Sequence, residues 1–103
     1  MRIKIKQLKA DSHKFVGQEI TIKGWVKTVR EQKTFSFIEV NDGSTLTNFQ
    51  VIVDSNLPDY EKVMKKVGTG VSIALTGPIT EAPDQKGIEM HSKSVEVIGA
   101  KKN

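Results

Sequence analysis

The stretch Gly24 to Val53, GWVKTVREQKTFSFIEVNDGSTLTNFQVIV, decides the fold. Its centre, Phe35–Asn41, alternates: Ile38 and Val40 take one side, Phe35, Phe37 and Glu39 the other. That two-residue period is the mark of a strand. Asn41-Asp42-Gly43-Ser44 is a turn signal. Leu46–Val53 then predicts a third strand, with Phe49, Val51 and Val53 opposite Asn48, Gln50 and Ile52. Upstream, the polar run Glu31–Thr34 turns the chain. Glu19–Arg30 predicts the first strand, with Ile20, Ile22, Gly24 and Val26 on one face and Thr21, Lys23, Trp25 and Lys27 on the other.

Beyond Val53 the pattern changes period. Tyr60, Val63, Met64 and Val67 make one helical stripe. Asn56 or Leu57 is placed to cap it, with Pro58 in the first turn. Asp59 and Glu61 suit the start of that helix, and Lys65 and Lys66 its end. Gly68 stops it. Val71–Thr76 predicts a fourth strand, and Gly77-Pro78 and residues 82–87 a bend and a loop. The fifth strand runs from Ile88 to Ile98, where a phase slip predicts a bulge near Ser92-Lys93-Ser94. A short helical turn is expected at Ile5–Ala10. Three strands, one helix and two strands in 103 residues predict an all-β fold. It is a five-stranded Greek-key barrel of the OB type, with the helix between strands three and four. A β-sandwich has no natural place for a lone central helix. One domain is expected over 1–103, the barrel occupying about 15–99 after an N-terminal extension, 1–14.

Composition narrows the function. Without cysteine there is no disulfide or thiolate metal site. His13 and His91 read as surface residues, and alone they make no structural zinc site. No apolar run approaches the roughly 18 residues of a membrane span. The opening MRIKIKQLK has no signal-peptide core. A soluble cytoplasmic domain without a membrane partner is the expectation. Net charge is +4, unevenly spread: residues 1–33 hold nine basic and three acidic side chains, residues 34–103 seven and nine. A basic third on a near-neutral body suits a polyanion, though a solvated surface looks the same by charge alone. No phosphate loop, nucleophile–base pair, paired carboxylates or HExxH pattern is present, so no catalytic residue, metal or cofactor site is assigned.

The second strand carries the chemistry. Burying a carboxylate unpaired is costly, so Glu39 marks the phenylalanine face as the wet one. Phe35 and Phe37 on that face suggest a platform on which a base stacks. The alternatives are a barrel that buries both faces, or a Phe35 packed under the N-terminal segment. Gln50 is expected on the same face, offering a donor and an acceptor to a base edge. Arg30, at the end of the first strand, offers a planar fork to a base, a phosphate or a ring. Glu89 opens the last strand on its non-core side and suits the paired N–H donors of guanine, or else a neighbouring lysine. Phe35 and Lys27 complete the candidate nucleic-acid-binding set. Trp25 reads as packing against the N-terminal segment.

The glycine–tryptophan pair, an arginine five residues later, F-I, D-G and a glutamine make Gly24–Val53 resemble the N-terminal anticodon-binding domain of class IIb aminoacyl-tRNA synthetases. FSFIEVNDGS followed by FQV is most similar to the asparaginyl branch. Asn41 stands before Asp42, where aspartyl enzymes usually carry arginine. The resemblance implies that the middle anticodon base stacks on Phe37, that Arg30 and Gln50 hold that uridine, and that Glu89 reads the first-position guanine. It implies a tRNA with an asparagine anticodon as partner. The fragment is expected to be a monomer, excised or free-standing, that binds tRNA without aminoacylating it. ATP, magnesium, asparagine and homodimerisation are implied only for a parent enzyme with a catalytic domain. The alternatives are an aspartyl-type domain, a sequence-indifferent single-strand binder, and a module whose aromatic face docks a protein.

Overall fold

A computed structural model describes residues 2–82 and 87–99. The alternating stretches become β1 (Glu19–Glu31), β2 (Phe35–Asn41), β3 (Phe49–Asp54), β4 (Ser72–Glu81), β5 (Ile88–Ser92) and β6 (Ser94–Gly99). Two short helices precede them, α1 (Ile5–Ala10) and α2 (Ser12–Phe15); a third, α3 (Tyr60–Met64), lies between β3 and β4. β1 pairs antiparallel with β2, and β2 with β3. β3 runs parallel to β5, β5 antiparallel to β4, and β4 returns to the first half of β1. That circuit closes a five-stranded barrel. β6 continues the last strand along Ser72–Thr76 of β4. The phase slip is a break at Lys93, whose N–H donates to the Thr76 carbonyl at 2.7 Å. The loop read over 82–87 falls mostly outside the described residues.

Closure depends on two glycines. β1 serves β4 with Glu19–Trp25 and β2 with Trp25–Glu31. Where it changes partner, a Cβ on Gly24 would lie 2.5 Å from the Asn41 carbonyl oxygen. On β4, a Cβ on Gly77 would lie 2.2 Å from the His91 carbonyl oxygen. No side chain fits either crossing, which is the usual reason for glycine inside a strand. Just past Gly24, β1 bulges between Val26 and Thr28. The extra residue, Lys27, shifts the phase. Val29 therefore packs against the core, and Thr28 and Arg30 stand opposite Glu39 and Phe37.

Ile20, Ile22, Val26, Ile38, Val51, Ile73, Leu75, Ile79 and Met90 fill the interior. The segment ahead of Phe15 shares it: Ile3, Ile5 and Leu8 are buried in the same cluster. Asp42 fixes them. Its carboxylate accepts the Ile5 N–H at 2.9 Å, at the start of α1, and the Ser44 N–H at 3.0 Å. Burial alone would raise the Asp42 pKa. Hydrogen bonds from the Ser44 hydroxyl and from the Ile5 and Ser44 amides outweigh it, and the carboxyl titrates below its ordinary range.

Two elements are shorter than predicted. The third strand starts at Phe49 rather than Leu46, because Asn41 ties down the preceding loop. The Asn41 side-chain amide donates to the Thr45 carbonyl at 3.2 Å and to Asn48 Oδ1 at 3.1 Å, and its oxygen accepts the Gly43 N–H at 2.7 Å. The middle helix keeps only five residues. Asp54 accepts the Asn56 N–H at 2.8 Å, and Asp59 adopts the left-handed region at φ 62°. Residues 55–59 are therefore turn, and Asp59 rather than Asn56 or Leu57 precedes the helix. The stripe still points inward: Met64 is buried, Tyr60 and Val67 pack on the core, and the Tyr60 hydroxyl bonds the buried Ser36. Among the described residues no helix is long and apolar enough to cross a membrane.

Gly24→Ala and Gly77→Ala should each cost about 1–3 kcal/mol and lower Tm by roughly 5–20 °C. Gly68→Ala, which meets nothing within 4 Å, should be near neutral in the same thermal melts. Asp42→Ala should cost about 1 kcal/mol at neutral pH, read by denaturant titration. Because the folded pKa is depressed, that contribution is complete above the unfolded value of about 3.9. It fades as pH falls through the lower folded value, so the two chains should converge in stability in acid.

Candidate nucleic-acid interface

With the interior filled by one parity, the other parity of β1, β2, β3 and β5 forms an outer wall. Cross-strand register sets its rows. One row runs Thr28, Glu39, Gln50, with Glu89 bonded to Gln50 and Thr80 opposite Glu89. The next runs Arg30, Phe37, Ile52, His91. Phe35 and Asp54 begin a third. Thr34, Phe35, Phe37, Gln50, Ile52, Asp54, Glu89, His91 and Ser92 line a concavity of about 420 Å³.

Four of the six predicted residues, Phe35, Phe37, Gln50 and Glu89, thus meet in one hollow. Both phenylalanines are half-buried, on the outer face, while Ser36 and Ile38 between and beside them are fully buried on the inner one. The two rings meet edge to face, centroids 4.9 Å apart at 85°. Arg30 joins them from the rim, its Cζ 5.2 Å from the Phe37 ring centroid, within cation–π range. Lys27 does not join. The bulged residue of β1, it is exposed and does not line the hollow, and its carbonyl accepts the Thr69 hydroxyl at 3.3 Å. The bulge, invisible to simple alternation, took it off the face.

Glu89 sits on the predicted face but is only 2% exposed. Its partners are not lysines. Gln50 Nε2 donates to Oε1 at 3.2 Å, and His91 Nε2 lies 3.3 Å from Oε2. The Thr80 hydroxyl opposite it is buried and has no hydrogen-bond partner among the described residues. Glu39, more open, accepts the Thr28 hydroxyl at 2.7 Å. Lys9 approaches the same end of the wall, its ammonium donating to the Asn48 carbonyl at 2.7 Å. Burial lowers the Lys9 pKa, and Glu39 partly opposes that.

Sequence reading missed His91 and Ile52 as members of this hollow. The signal was available: His91 lies two residues from Glu89, and Ile52 two from Gln50, so each shares its neighbour's face. Trp25 stands beside the turn that follows β2. It is 40% exposed, and its ring lies over Gly43, where a Cβ would be 3.3 Å from Cη2. Among the described residues no three His, Asp or Glu side chains gather to hold a metal ion.

Comparison with known proteins places this wall in context. A family model described as an OB-fold nucleic acid binding domain, tRNA anti-codon type, matches residues 20–98. An asparagine--tRNA ligase of Protochlamydia amoebophila is 45% identical over 103 residues, covering 96% of this chain and 22% of that protein. Another from Picosynechococcus is 49% identical over 85 residues, 82% of this chain and 18% of that protein. The chain spans about a fifth of the length of these curated relatives. Among solved structures, asparaginyl-tRNA synthetase of Pyrococcus horikoshii superposes with a TM-score of 0.79 at 24% identity, covering 97% of this chain and 23% of that one. That likeness speaks for the fold. The Entamoeba histolytica asparaginyl-tRNA synthetase gives 0.76 at 25% identity, covering 98% and 24%.

Proposed function

The chain belongs to the tRNA anti-codon family of OB-fold nucleic acid binding domains, and on that premise we propose that it reads the anticodon loop of an asparagine tRNA as part of an asparagine--tRNA ligase. One observation carries the reading. The Phe37 ring lies on the outer wall under the Arg30 guanidinium, in the same hollow as the Gln50–Glu89 pair.

An anticodon base is already unpaired, so laying it on an aromatic ring gains about 1–3 kcal/mol without opening a duplex. The middle uridine stacks on Phe37. Gln50 and Arg30 address its edge or its phosphate. Arg30 rests on the ring in the free chain and moves aside as the base arrives. The Glu89 carboxylate takes the N1–H and N2–H of a first-position guanine. Stacking supplies affinity; the amide and the carboxylate supply discrimination, because a wrong base leaves them unpaired in a dry site. In the longer protein the remaining four-fifths would activate asparagine with ATP and magnesium and form the homodimer. No residue described here is assigned to that chemistry, and this stretch would act in the cytoplasm as the tRNA-reading part.

Stem-loops titrated by fluorescence anisotropy test the reading. A GUU loop should outcompete scrambled loops, and Phe37→Ala should weaken it by roughly 5- to 150-fold. Arg30→Ala should also weaken GUU binding, without full rescue by Arg30→Lys. Equal binding of every loop, with a steep salt slope, would instead identify a sequence-indifferent single-strand binder. GUU and GUC loops bound equally would leave asparaginyl and aspartyl partners undistinguished by this domain.

A further inference from the structure

We propose that His91 is a specificity-determining residue of this wall: it covers the Glu89 carboxylate, and a first-position guanine is read only when the imidazole releases it. The proposal rests on the anticodon reading above and goes beyond it by naming what controls access to the guanine-reading group.

The geometry is direct. Glu89 is 2% exposed, so no base edge reaches its carboxylate in the present arrangement. Gln50 holds one oxygen and His91 the other. Guanine needs that edge for two N–H donors, so one occupant must withdraw. Gln50 sits within the sheet between its neighbours Glu39 and Glu89. The His91 side chain is 52% exposed, and it has solvent to swing into. An imidazolium holds the carboxylate as an ion pair with N–H at both ring nitrogens; a neutral imidazole holds it only as the tautomer with N–H at Nε2, and without the opposite charge.

From β3, Gln50, Ile52 and Asp54 line the hollow, and from β2, Phe35 and Phe37; Glu39 lies across Gln50 and Thr80 across Glu89, both off that lining. The nearest guanidinium, Arg30, is engaged on Phe37. Imidazole is the side chain that changes charge between about pH 5 and 8, and His91 is the one histidine lining the hollow. Acidification therefore locks Glu89 and removes the guanine preference.

The 103-residue chain is titrated with stem-loops GUU and AUU from pH 5.8 to 8.0. The ratio of their affinities is the readout, since protonating any histidine strengthens both complexes with a polyanion. In the wild type the preference for GUU should fall about tenfold on acidification. His91→Gln, neutral throughout, should keep the alkaline preference at every pH. His91→Arg, charged throughout, should show the low preference at every pH. A guanine preference that is flat in the wild type, or that still falls with acid in His91→Gln, would overturn the role of His91. The absence of any guanine preference, at all pH values and in all three chains, would overturn the anticodon reading itself.

Discussion

The two backbone crossings at Gly24 and Gly77 are the constraint from which the rest follows. Each brings one strand within the space a single methyl would fill: the Asn41 carbonyl over Gly24, the His91 carbonyl over Gly77. Because β1 and β4 can bend there, the sheet closes and its inner face is sealed with aliphatic side chains. Closure assigns the two parities of each strand to separate tasks. Core packing already has Ile38, Val40, Val51 and Met90. Phe35, Phe37 and Ile52 are therefore not needed inside, and their place on a half-open outer wall asks for another explanation. Stacking supplies one.

The same wall holds a carboxylate that water barely reaches. A buried charge is tolerated only when paired. Glu89 has two partners, and they differ in kind: an amide fixed in the sheet and an imidazole at the surface. Removing either leaves the carboxylate short of a partner, which ties local stability to the group that would read a base. Sites of this sort bind selectively because a mismatched ligand forfeits hydrogen bonds that the free protein already possesses. In the free chain the Glu89 carboxylate is satisfied by Gln50 and His91, and on the proposed reading a base would have to replace one of them on equal terms.

Much of this could be read before the structure, and the reason is periodicity. Alternation in Phe35–Asn41 and Phe49–Val53 is unbroken, so facing followed from parity alone, and the mutual placement of Phe37 and Gln50 with it. The failures cluster where parity breaks or where a side chain, not the backbone period, sets the path. Lys27 was misplaced by a bulge that no apolar residue announces. Leu46 left the third strand because the Asn41 amide captures the loop carbonyls. The helix lost its first turn to the Asp54 carboxylate and a left-handed Asp59, both polar interactions without a hydrophobic signature. His91 was visible in parity but read singly; its meaning comes only from its distance to Glu89, which no one-dimensional pattern contains.

Charge and selectivity are carried by different parts of the molecule. The basic excess belongs to residues 1–33, which form α1, α2 and β1. Much of it is exposed: Lys4, Lys6, Lys14, Lys23 and Lys27 all face water. Among the described residues, the hollow's charged and titratable lining is Asp54, Glu89 and His91, with no lysine. A polyanion is thus drawn to the flank by a long-range, salt-screened field. Among the described residues, no lysine or arginine lines the hollow, and Arg30 stands at its rim on the Phe37 ring. A nonspecific binder would gain from lysines there, since every phosphate contact adds affinity whatever the sequence. On the proposed reading, carboxylates at the centre would do the reverse: they would repel backbone phosphate and favour the donor edges of bases. That arrangement sacrifices affinity for discrimination, the division of labour expected where phosphate contacts position a strand and base contacts choose it.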